Sequence, residues 1–85
     1  MATVTRQQLM LQINVLCTEH LEWGNKIKEL VDAFESDQMS FDELKELIED
    51  YHRQVQNDAS ISDVGTRTRT EFCLEMLFNL AKAVI

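Results

Sequence analysis

From Leu9 to Phe34 the apolar residues recur in alternating steps of four and three: Leu9, Ile13, Leu16, His20, Trp23, Ile27, Leu30 and Phe34. Only a helix returns side chains to one face at that spacing, so the stripe demands an amphipathic helix and excludes a strand. His20 is its one polar member. Met10, Cys17 and Val31 widen it on one flank, as a core-facing helix requires. Thr5 and Gln8 stand ahead of it as Thr-x-x-Gln, a capping box in which each side chain satisfies a backbone N–H at the other position.

Gly24 interrupts this pattern at a cost of about 1 kcal/mol relative to alanine in a helix interior. The stripe keeps its phase across the glycine, so the expectation is one helix over about residues 5–36. A break at Gly24, with Asn25 as a new N-cap, is the alternative. An unbroken helix over residues 5–35 is about 45 Å long, whereas a compact chain of this size is only about 30 Å across. Such a helix overhangs its own domain and needs a partner along its length.

The second helix has the clearest start. Ser40-Phe-Asp-Glu43 is a capping box, with Met39 and Leu44 placed as a hydrophobic staple. Asp42 and Glu43 occupy the first turn, where the helix dipole favours negative charge. Phe41, Leu44, Leu47, Ile48, Tyr51 and Val55 form its apolar face, and Asn57-Asp-Ala-Ser60 reads as a loop. The third helix begins near Ser60 or Ser62, with Asp63 available for its first turn. Gly65 and the run Thr66-Arg-Thr-Arg-Thr70 weaken that beginning, since β-branched threonine is a poor helix former. From Glu71 to Ile85, eleven of fifteen residues are apolar. A helix apolar all round is buried on all sides, and two neighbours cannot cover it.

The fold class is therefore all-α: one domain over residues 1–85 with helices at about 5–36, 40–57 and 62–84. That is a small three-helix bundle, or four helices if the first breaks at Gly24. The uncovered apolar surface predicts a homodimer. Its expected interface comprises Leu16, His20, Trp23, Ile27 and Leu30 from the first helix, with Phe72, Leu74, Leu77 and Phe78 from the last.

Little here supports chemistry. Glu49-Asp-Tyr-His52 matches half of a di-iron Glu-x-x-His pair, but the second copy is missing. Cys17 and His20 lie one turn apart, yet a structural zinc needs Cys73 and His52 to converge on them. The two cysteines read as buried thiols of a reducing compartment. No glycine-rich loop is present to hold phosphate, and no nucleophile–base–acid spacing can be assembled. The expectation is a protein that is not an enzyme and carries no metal or cofactor. His20, alone in an apolar seam, reads either as a hydrogen-bonded core histidine or as a pH-sensitive register residue.

Charge is the most informative polar feature. The formal net charge is −7. Residues 29–50 hold nine acids against one base, Lys45, so the remainder of the chain is nearly neutral. Glu35, Asp37, Asp42, Glu43, Glu46, Glu49 and Asp50 are the candidate partner-binding residues. The same charge disfavours direct binding to nucleic acid and to anionic membranes, and favours a basic protein surface. Arg67 and Arg69, with Lys82 nearby, form a small basic spot. The start, Met1-Ala-Thr-Val-Thr-Arg, lacks a signal-peptide pattern. The apolar segment 72–85 is too short to span a bilayer, so a cytoplasmic location is expected. Together these features suggest a small inhibitor or antagonist of the immunity-protein, antitoxin or phage-antagonist kind. An assembly or secretion chaperone, working through apolar helices, and an acidic nucleic-acid mimic are the alternatives.

Overall fold

The computed structural model describes residues 5–84, so Met1–Val4 and Ile85 of the expected domain lie outside the described residues. Four helices follow one another: α1 (Arg6–Glu19), α2 (Leu21–Glu35), α3 (Phe41–Asn57) and α4 (Val64–Val84). No strand occurs among the described residues. The molecule measures 35 × 27 × 21 Å. α4 packs against each of the other three helices, while α1 and α3 do not meet.

The expected continuous first helix is two helices, and the break falls at His20 rather than Gly24. His20 has extended backbone dihedrals, φ −155° and ψ 93°. Its N–H closes α1 on the Leu16 carbonyl at 2.6 Å, and its own carbonyl opens α2 by accepting from Gly24 N–H at 3.0 Å. Its ring Nδ1 accepts from Trp23 N–H at 3.4 Å. One residue is thus the C-cap of α1 and the N-cap of α2, a post usually filled by Ser, Thr, Asp or Asn. The helices then double back until Arg6, at the start of α1, pairs with Glu35 at the end of α2.

Gly24 serves this reversal by having no side chain. A Cβ there would lie 2.8 Å from the Cys17 Cα and 2.9 Å from the Cys17 N. Both distances are below any real Cβ contact, so glycine is what lets α2 cross α1 this closely. Folding back also explains why the stripe keeps its phase. Leu9, Ile13 and Leu16 on α1 and Trp23, Ile27 and Leu30 on α2 all enter one core, each at most 4% exposed. The 45 Å overhang does not arise.

The start signals at Thr5 and Ser40 hold, whereas the last helix begins at Val64 rather than near Ser60 or Ser62. Thr5 and Gln8 form the α1 capping box, and Ser40 and Glu43 form that of α3. α2 ends with Asp37 in the left-handed region, φ 60°. Gln38 N–H bonds the Ala33 carbonyl and Asp37 N–H the Phe34 carbonyl, a Schellman motif with aspartate where glycine is usual. α4 is capped by Asp63, whose carboxylate accepts from Gly65 N–H and Thr66 Oγ1. The Thr/Arg run is helical throughout, with Thr66 and Thr70 buried. Thr70 Oγ1 donates to the Thr66 carbonyl at 2.8 Å, so its hydroxyl is not stranded in the core.

Candidate functional site

Two helices bring their acids together around Tyr51. This ring meets Trp23 edge-on at 5.6 Å. Burial first, then the nearby charges of Glu29 on α2 and Asp50 on α3, push the Tyr51 phenol above its usual range. Asp50, next to Tyr51 in the chain, opens onto the surface of α3. That surface holds a shallow depression lined by Glu43, Glu46, Leu47, Glu49, Asp50 and Arg53. Spacings of three and four residues place Glu43, Glu46 and Asp50 on one side of the helix. Leu47 supplies half-buried apolar area between them.

Two cations of α2 and α3 are paired locally, while Lys28 and Lys45 belong to none of the ion pairs among the described residues. Arg53 sits 3.7 Å from Asp50, and Lys26 sits 3.8 Å from Glu22. Lys26 also lies over the Trp23 ring, 4.6 Å from its centroid. Asp42, Glu46 and Glu49 belong to none of the ion pairs formed among the described residues. Glu43 turns part of its charge inward, accepting from Ser40 N–H in the capping box.

Glu35 and Asp37 are separated from this group. They line a separate cleft at the C-terminal end of α2, with Arg6, Leu9, Val31, Phe34, Leu77, Leu80 and Ala81. Arg6 bonds both Glu35 oxygens, which holds the Glu35 carboxyl below its usual range through that hydrogen bond and the attendant charge. The seven candidate acids thus form two sets: five on α3, and two at the end of α2 with one of them neutralised.

The basic spot expected at Arg67 and Arg69 is absorbed into the fold. The Arg67 guanidinium donates to the carbonyls of Val55, Gln56, Asp58 and Ile61. Arg69 bonds Glu19 and Gln12, both at 2.6 Å. Each cation holds one part of the chain to another.

The expected dimer seam is also used internally. Leu16, Trp23, Ile27, Leu30, Leu74 and Leu77 are buried by the chain's own helices. His20 is half-buried, and Phe78 packs against Phe41 at 5.6 Å. With four helices instead of three, α4 has three neighbours to cover it. Of the nine seam residues only Phe72 is exposed, at 47%. Leu11 and Val15 on α1, which no sequence motif singled out, are exposed at 59% and 36%.

The groups with catalytic chemistry sit in a structural ring. Trp23 Nε1–H donates to Asp58 Oδ2 at 2.6 Å. Ser60 donates to Asp58 Oδ1 through both its N–H, at 2.9 Å, and its hydroxyl, at 2.6 Å. His20 Nε2 lies 3.0 Å from Ser60 Oγ. Since Ser60 spends its proton on Asp58, His20 must donate to it from Nε2, leaving Nδ1 free to accept from Trp23 N–H. A histidine donating to the serine is the reverse of a general base, and the acid holds the serine rather than the imidazole. The ring ties the α1–α2 junction to the α3–α4 loop.

These bonds, those from Ser60 and Trp23 foremost, lower the Asp58 carboxyl from 3.8 to about 2. A carboxyl depressed in the fold stabilises it above the unfolded pKa, and that contribution fades as pH falls through the folded one. Acid sensitivity is therefore expected between about pH 4 and 2. In Asp58→Asn this part of the acid loss should disappear, alongside lower stability at neutral pH. Urea unfolding followed through Trp23 fluorescence checks both. An unchanged acid profile in the variant would remove Asp58 from the account.

No group of three or more His, Cys, Asp or Glu side chains is placed to hold a metal among the described residues. Glu49 and His52 line one groove with Glu75 of α4, but without metal-ligand geometry. Cys17 and Cys73 are both free thiols, and burial above all pushes Cys73 up to about 11, away from nucleophile chemistry. No helix among the described residues is long and apolar enough to cross a membrane. No protein-family model matches the chain, and neither does any curated protein or solved structure.

Proposed function

We propose that this chain is a binding module of the inhibitor or antagonist kind, which docks its α2–α3 face on a basic protein surface. The observation that carries the reading is the row of acids, Glu43, Glu46, Glu49 and Asp50, that α3 sets around half-buried Leu47, with Asp42, Glu46 and Glu49 in none of the ion pairs among the described residues. Carboxylates at the rim steer a basic partner and reject an acidic one, while a half-buried apolar centre supplies contact area. The acidic run therefore acts as a surface of the fold and not only as a solubilising tail. The free thiols accord with action in a reducing compartment such as the cytoplasm. The reading needs no catalytic step and no cofactor. A chaperone working through apolar helices has less support, because those helices cover one another.

The test uses the immobilised chain against lysate of the cells that make it. Basic proteins are expected to bind, to elute as salt rises, and to be lost with the double substitution Glu46→Lys, Glu49→Lys. Capture that survives both high salt and the substitutions overturns the docking face.

A further inference from the structure

The outer face of α1 departs from the rest of the molecule. From Gln7 to Thr18 the chain carries no charged residue, although 27% of all its residues are charged. Gln7, Leu11, Asn14, Val15 and Thr18 point away from the core at helical spacing and are all exposed. Leu11 and Val15 leave apolar surface open there, at 59% and 36%. α4 extends the same surface. Arg69 reaches Gln12 and Glu19 of α1, and Val15 falls between those two on the α1 flank. Phe72, one turn beyond Arg69 on the flank turned toward α1, is 47% exposed. Depletion of charge around exposed apolar and aromatic side chains is the composition of an interface core.

We propose that this face pairs with the same face of a second copy of the chain. Charge selects the occupant. A basic partner gains little from a surface whose one carboxylate, Glu19, is already paired with Arg69, and two chains of net charge −7 repel wherever their α2–α3 faces approach. A two-fold contact of α1 against α1 brings the uncharged surfaces together and keeps the acidic ones apart. Such a contact is isologous, so the dimer closes without forming filaments. A helix of α1's length is about 21 Å long. The area it can bury lies at or below the low end of specific interfaces, about 1,200 Å² in total. The dimer is therefore weak and reversible.

Sedimentation equilibrium over a roughly hundredfold concentration range tests this. A monomer–dimer equilibrium is expected, and added salt strengthens it by screening the net charge. Docking on a basic partner has the opposite salt dependence, so the two proposals fail separately. Leu11→Glu and Phe72→Glu should each weaken the dimer by at least about tenfold, since each buries an unpaired charge at the contact. Leu11 lies off the core, so Leu11→Glu should leave the melting temperature unchanged. Glu46→Lys, on the acidic face, should not weaken the dimer. A chain that stays monomeric at every concentration in high salt overturns the proposal, as does a dimer indifferent to both glutamate substitutions.

Discussion

Gly24→Ala is expected to destabilise the fold by about 2 kcal/mol or more, although alanine is the better helix former. Helix propensity alone favours the substitution by about 1 kcal/mol. Against it stands the crossing of α1 and α2, where the new methyl group would meet the Cα and N of Cys17 at 2.8 and 2.9 Å. A flexible side chain can turn aside, but backbone moves only with its helix, and overpacking of this kind costs about 1–3 kcal/mol and occasionally more. For a chain of this size the loss corresponds to a fall of roughly 10 °C in melting temperature. Gly65→Ala is the matched control. Its new Cβ would lie 3.4 Å or more from the Asp63 carboxylate, in ordinary contact, and neither glycine has positive φ. Gly65→Ala should therefore be neutral or gain a few tenths of a kcal/mol, and urea unfolding compares the pair. A single helix over residues 5–36, with no reversal at His20, would instead make Gly24→Ala stabilising. The sign of the result decides between the two architectures.

That pair of architectures shows where the sequence is legible. Local chemistry is written plainly: Thr5 with Gln8 and Ser40 with Glu43 mark helix starts that the structure keeps. Periodicity finds the core, since Leu9, Ile13, Leu16, Trp23, Ile27 and Leu30 are all buried. The reversal at His20 escapes because one extended residue preserves the phase of the stripe. Histidine is also not counted among helix caps, and it caps here only because Ser60 fixes its tautomer. Gly24 is visible as an anomaly, but its cause is the nearness of Cys17, a tertiary fact. The same limit applies to charge. The sum over residues 29–50 finds the acidic segment, but not that Glu35 turns to Arg6 while Glu43, Glu46, Glu49 and Asp50 share a face. The exposed Leu11 and Val15 had a signal in the uncharged run from Gln7 to Thr18, and reading for buried stripes passes over it.

Arg67→Met should cost about 3 kcal/mol, more than a surface arginine is normally worth. The guanidinium reaches four carbonyls: Val55 at 2.6 Å, Gln56 and Ile61 at 2.9 Å, and Asp58 at 3.4 Å. Val55 and Gln56 lie in the last turn of α3, where carbonyls lack helical partners and the dipole favours a cation. Hydrogen bonds to a charged group contribute about 1.5–3 kcal/mol each, but one side chain makes all four and water replaces some of them, so the sum is discounted. Methionine keeps the packing of the stem and removes the fork. Arg67→Lys should recover less than half of the loss, since an ammonium cannot span four acceptors as a planar guanidinium does. The damage should also spread. Asp58 and Ser60 lie in the loop that Arg67 clamps and hold Trp23 and His20, so freeing the loop loosens the α1–α2 junction. Hydrogen exchange at Trp23 and Gly24 should rise together with exchange at the end of α3. If Arg67→Met loses less than about 1 kcal/mol, water caps α3 as well as arginine does, and the loop is held by the bonds of Asp58 to Trp23 and of Ser60 to His20.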